Sequence, residues 1–159
     1  MELASRRVQL AGCTSHPTEV WMMQVGRNLT DPLGGFLRHK RYLLMDRDSK
    51  HCQAFHEMVE QAGPRCVRLP PRSPNLSAHL ERFMRSIKEE CHGRMILFGE
   101  SSMRNAAQEF ISHYHAERNH QGLGNRLIEP GGEASSETGK IVCRERLGGM
   151  LRFYYRRAA

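Results

Sequence analysis

Long hydrophobic runs are missing from this chain of 159 residues; the longest, such as Met95 to Phe98, extend only a few positions. A membrane-spanning helix needs about 20 mainly apolar residues in succession, so none can be built and no membrane partner is expected. The N-terminus also lacks the apolar core of a secretory signal, which makes the cytoplasm the expected location. Cysteine is sparse and wrongly spaced for a framework. The five, Cys13, Cys52, Cys66, Cys91 and Cys143, are odd in number and contain no C-x-x-C, which argues against a disulfide scaffold or a Cys-based zinc site. They read as reduced, small apolar side chains. No internal repeat is visible.

Acidic residues are outnumbered. The chain carries 24 Lys and Arg against 17 Asp and Glu, a formal charge of +7, which suits a partner with a phosphate backbone, although a basic surface can simply be solvated. The length is enough for one domain with a core, and 39% hydrophobic residues exclude disorder throughout.

Local patterns predict a mixed α/β fold. Arg7 to Ala11 alternates polar and apolar residues as a half-buried strand would. Trp21, Val25 and Leu29 predict a helix over 17–30, with Pro17 able to occupy its first turn. Tyr42-Leu43-Leu44-Met45 reads as a strand buried on both faces and ending at Asp46. A short helix bearing Phe55, Met58, Val59 and Ala62 stops at Gly63-Pro64, and Cys66 to Leu69 reads as the next strand, giving a β-α-β unit with a parallel sheet. A loop at Ser73-Pro74-Asn75 leads to a helix with the apolar stripe Leu80, Phe83, Met84, Ile87 and Cys91. The next helix, about 102–118, is expected to bury Met103, Ala106, Ala107, Phe110, Ile111 and Tyr114.

Residues 129–140 are rich in Gly, Ser and Glu and read as a flexible linker. Beyond it, Arg144, Arg146, Arg152, Arg156 and Arg157 interleave with Phe153, Tyr154 and Tyr155 in a basic aromatic tail, 141–159, suited to a strand pair or to an appendage on nucleic acid. His113, His115 and His120, with Cys91-His92, lack the tight paired spacing of a structural zinc site.

Asp46 at a strand end and Glu81 on a helix lie about one strand–helix–strand unit apart, a separation that folding can close. Two carboxylates seldom hold two divalent ions, and no third acid precedes them at a convincing position. The words around them are more specific. Tyr42-Leu43-Leu44-Met45-Asp46-Arg47-Asp48, then Leu69-Pro70-Pro71-Arg72-Ser73-Pro74-Asn75-Leu76, then Glu81 to Glu90, then Tyr114-His115-Ala116-Glu117-Arg118-Asn119-His120-Gln121 stand in order over much of the chain. Together they resemble the integrase catalytic core of DDE transposases, in the retroviral-integrase-like superfamily, closest to the bacterial insertion-sequence type.

The resemblance implies an RNase H-like α/β fold, a mixed sheet flanked by helices. It makes Asp46 and Glu81 the second and third catalytic acids and metal ligands, with Asp48 adjacent, and places Arg85 and Lys88 on DNA. It implies two Mg²⁺ or Mn²⁺ ions, for which oxygen ligands suit hard cations. It also implies double-stranded DNA as partner, both element ends and target, a homo-oligomer, and a nucleoid-associated bacterial location when bound. The family's first Asp lies upstream of the matched words, so 1–128 is expected to be a truncated core lacking its first strand and most of the second, holding only part of the metal set. The expected activity is metal-dependent phosphodiester cleavage and strand transfer in DNA integration and transposition. The alternative is a non-catalytic DNA-binding remnant of a transposase.

Overall fold

The computed structural model describes residues 1–48, 52–71, 77–130 and 138–157. The expected loop Ser73-Pro74-Asn75 and residues 131–137 of the expected linker lie outside the described residues. The chain forms two compact units, one made of Met1–Leu10 with His79–Ala159 and the other of Ala11–Ala78. Secondary structure is mixed, with two separate two-stranded sheets among the described residues.

In the Ala11–Ala78 unit, helix α1 covers Glu19–Leu29. It starts two residues later than the pattern predicts because Thr18 caps it: the Thr18 hydroxyl accepts the Trp21 N–H at 3.3 Å. Pro17 therefore precedes the cap rather than occupying the first turn. Strand β1 (Tyr42–Met45), helix α2 (Gln53–Gln61) and strand β2 (Arg65–Arg68) form the expected parallel β-α-β unit, in register from Tyr42 against Arg65 to Met45 against Arg68. Met22, Leu37, Met45, Phe55 and Val59 build its core. The close approach of α1 to α2 needs Gly26, since a Cβ there would lie 2.9 Å from the Met58 sulfur and 3.3 Å from the Phe55 ring.

One expectation for β1 fails. Met45 is buried, but Tyr42 and Leu44 on the opposite face are 60% and 39% exposed, so the strand is covered on one face only. Its continuous apolar run could not reveal this, because burial of the second face depends on a layer supplied from elsewhere.

In the other unit, helix α3 (Ala78–Glu90) and helix α4 (Gly99–Ala116) share a core of Phe83, Ile87, Cys91, Ala106, Ala107, Phe110 and Tyr114. Phe83 meets Tyr114 edge-on at 4.9 Å and Phe110 at 6.0 Å between centroids, the arrangement that the ring quadrupole favours. Met103, expected in this core, is instead 40% exposed. It lies early on α4, while Ala106, Ala107 and Phe110 carry the contact. Val8 and Leu151 complete the core from outside the two helices.

The basic aromatic segment forms an antiparallel pair, β3 (Ile141–Arg146) with β4 (Leu151–Arg156), registered from Ile141 against Arg156 to Arg146 against Leu151. It belongs to the same unit as α3 and α4. The turn between the strands passes through Gly148 and Gly149 at φ 66° and 89°, the left-handed region that glycine enters at no steric cost. The strand expected over Arg7–Ala11 is absent among the described residues. Its Val8 N–H points instead to His115 Nε2 at 2.9 Å, so the donor a ladder would need is already used.

Candidate nucleic-acid interface

Asp46 sits just past β1, exposed, and its Oδ1 accepts the Asp48 N–H at 3.3 Å in a local turn. Beside it, Arg47 Nε donates to the Leu69 carbonyl at 3.1 Å, tying the ends of β1 and β2 together. Glu81 lies in the first turn of α3, and Arg85 and Lys88 follow on the same exposed side. Asp46 thus belongs to one unit and Glu81, Arg85 and Lys88 to the other. The carboxylate oxygens of Asp46 and Glu81 are of the type a hard divalent cation prefers. Among the described residues, however, no three His, Cys, Asp or Glu side chains form a group that could hold a metal ion. This donor set does not by itself make a metal centre.

A different surface of α3 lines a cavity of about 380 Å³. His79, Arg82, Phe83 and Ser86 reach it from the helix, at the i, i+3, i+4, i+7 spacing of one face. With about 3.6 residues per turn, Glu81 and Lys88 fall on the far side of the helix, and Arg85 lies between them and Arg82. The end of α4 and the chain after it supply Tyr114, Arg118, Asn119, His120 and Gln121, and Arg6 comes from the N-terminal segment. Among the described residues, no carboxylate lines the cavity.

The wall after α4 is held rigidly. His120 and Arg126 form an isolated antiparallel bridge, and the Leu123 and Asn125 N–H groups both donate to the His120 carbonyl at 2.9 and 3.0 Å. His120 Nε2 lies 2.7 Å from the Tyr114 carbonyl. A carbonyl only accepts, so Nε2 carries the proton and Nδ1 is left to face other groups. Arg118 Nη1 donates to both Glu90 oxygens at 2.8 and 2.9 Å, which satisfies part of its charge. Arg6 and Arg82 have no carboxylate partner among the described residues. Burial raises the Tyr114 hydroxyl pKa, while Arg118, Arg6 and Arg82 pull it the other way, which places all three cations near that ring.

The other histidines of α4 have structural partners. His115 Nε2 accepts from Val8, so its ring proton is on Nδ1, and His113 Nδ1 lies 2.8 Å from Glu117 Oε2. Glu117, with a side chain only 1% exposed, also takes Arg146 Nη2 at 2.8 Å and Arg144 Nη1 at 3.4 Å, joining α4 to β3. Burial alone would raise its carboxyl pKa, but hydrogen bonds from Arg146 and His113 and their charges hold it below its ordinary value.

Residues 62–127 match the family model of the integrase core domain. This is the family read from the sequence words. The matched segment runs from the end of α2 through β2, α3 and α4 to the His120–Arg126 turn, so it takes in Glu81, Arg85, Lys88 and every cavity residue except Arg6. Asp46 lies before it. No curated protein and no solved structure matches the chain. No helix among the described residues is long and apolar enough to cross a membrane.

The family resemblance points to Arg85 and Lys88, whereas His79, Arg82 and Arg118 line the cavity. The signal available was the helical spacing of His79, Arg82, Phe83 and Ser86. That spacing acquires meaning only once Tyr114 and Arg118 are known to stand opposite.

Proposed function

We propose that this is a transposase or integrase-type protein of DNA transposition, acting on double-stranded DNA with an RNase H-like core. The observation that carries this reading is the integrase core match over residues 62–127. Supporting it are the formal charge of +7 and the cation-lined cavity within the matched segment. In this reading Asp46 and Glu81 are catalytic carboxylates and ligands of Mg²⁺ or Mn²⁺, and Arg85 and Lys88 contact DNA. The bound ions would supply charge neutralisation during phosphoryl transfer. The chain's own cations hold the phosphate backbone in place, and such positioning is a large part of catalysis in this chemistry. The working form is a homo-oligomer located where the DNA is.

The test is nicking of end-labelled duplex DNA by the protein with Mg²⁺ or Mn²⁺. Asp46→Asn and Glu81→Gln should each lower the rate by roughly 100-fold or more, the scale of losing a group that stabilises the transition state. Activity equal to the parent in either variant would remove that residue from the site. A second reading, DNA binding without cleavage, is favoured by the cavity's lining of arginine and histidine, with no carboxylate among the described residues. It predicts salt-dependent binding in the same samples with no metal-dependent nicking.

A further inference from the structure

We propose that the cavity between α3 and the end of α4 is a phosphodiester-binding pocket, in which Arg82 and Arg6 hold a backbone phosphate of a DNA strand. The inference rests on the DNA-directed reading above and adds a site on the face of α3 that adjoins Arg85.

Three observations carry it. The first is charge: among the described residues, three arginines and two histidines line the cavity and no carboxylate does. Glu90 engages Arg118 from outside the lining, which leaves the guanidiniums of Arg6 and Arg82 as the cations lacking a carboxylate among the described residues. Guanidinium forks match the oxygens of a phosphate group in pairs. The second is size. About 380 Å³ falls at the small end of ligand cavities, which run from about 300 to 1,000 Å³, so it accommodates a nucleotide unit rather than a duplex.

The third is construction. Phe83 and Tyr114, which pack edge-on in the core, line it together with His120, whose turn is fixed by the bridge to Arg126. Asn119, Gln121 and Ser86 add neutral donors to the lining, and these complete the coordination of an anion without adding charge. A strand rather than a free nucleotide is the occupant favoured by exposed Arg85, three residues on from Arg82 on the same helix, since neighbouring phosphates need neighbouring charges.

Binding of a fluorescent DNA duplex is measured by anisotropy over a series of salt concentrations for the parent, Arg82→Gln, Arg6→Gln and Arg82→Lys. Arg104→Gln, an exposed α4 arginine outside the cavity, is the charge-matched control. For each lost phosphate contact the slope of log K against log salt should become shallower by about 0.9. Arg82→Gln and Arg6→Gln are expected to show this and Arg104→Gln is not, while Arg82→Lys keeps most of the slope. Arginine modification by phenylglyoxal on the unaltered protein gives a second readout: DNA should protect Arg6 and Arg82.

Slopes for Arg82→Gln and Arg6→Gln equal to that of Arg104→Gln, with no protection, would overturn the pocket while leaving the DNA-directed reading intact. Inorganic phosphate that protects Arg82 while DNA does not would likewise overturn it, in favour of a small-anion site. Absence of any salt-dependent DNA binding by the parent would overturn both.

Discussion

Glu117 shows how a single residue can hold several elements together. It ends α4 with a side chain 1% exposed, and it is tolerated there because His113, Arg144 and Arg146 surround it. Arg146 reaches on to Glu109 at 2.8 Å, and its own pKa is pushed up chiefly by the hydrogen bond to Glu117. Removing one partner of a buried pair leaves the other charge uncompensated, which costs about 3–5 kcal/mol where burial is complete. Arg146 keeps a 20% exposed side chain, so Glu117→Gln should cost roughly 3 kcal/mol in urea unfolding. A loss under about 0.5 kcal/mol, the usual range for an ordinary surface change, would show that the cluster is not a joint. Its tight partners were not legible in the sequence. Glu117 appeared only within a family word, and the arginines facing it stand across residues 129–140, expected to be a linker.

The elements themselves were largely legible, because helix and strand periodicity is a local property. The β-α-β unit at Tyr42–Arg68 and the two helices carrying Phe83 and Phe110 all occur where the apolar spacing predicts them. Errors came where a partner element decides. Val8 alternates like a strand but donates its N–H to His115, and Tyr42 reads as core but lies open on one face. Gly26 makes the same point for helix pairing: mid-helix glycine is unfavourable by itself, and only the nearness of Met58 and Phe55 explains it. Gly26→Val should therefore destabilise the protein by about 1–3 kcal/mol through overpacking. Thermal unfolding measures this, and an unchanged or higher midpoint would mean that α1 and α2 have room to separate.

At the level of the whole molecule, stability should fall on acidification in two stages with the same sign. Burial holds His115 below its ordinary value of 6.5, reinforced by Arg7 and His120 and opposed by Glu129. The unfolded chain then binds a proton near pH 6.5 that the folded chain refuses, so stability decreases as pH falls below that value. Protonation at Nε2 would also break the bond from Val8 and release the N-terminal segment. Glu117, held below 4.5 in the fold, contributes stability that is present above pH 4.5 and is lost as pH falls through its folded value. Urea midpoints recorded from about pH 8 to about pH 3 should decline, and His115→Gln should flatten the part of the decline near 6.5. A flat parent profile would contradict the His115 arrangement.

By itself, the sequence determined the chemical class of this protein: a basic α/β chain with integrase-like words, acids at Asp46 and Glu81, and cations following on the helix. Those features are short-range, carried by side-chain type and by spacing within one strand or helix. Only the tertiary structure decided which helix face meets what, selecting His79 and Arg82 over Arg85 and Lys88 as the cavity wall and setting Tyr114, Arg118 and Arg6 opposite. It also decided that Asp46 and Glu81 belong to different units. The physical reason is that a helix offers several stripes of similar polarity, and the choice among them is made by long-range packing, here Phe83 against Phe110 and Tyr114.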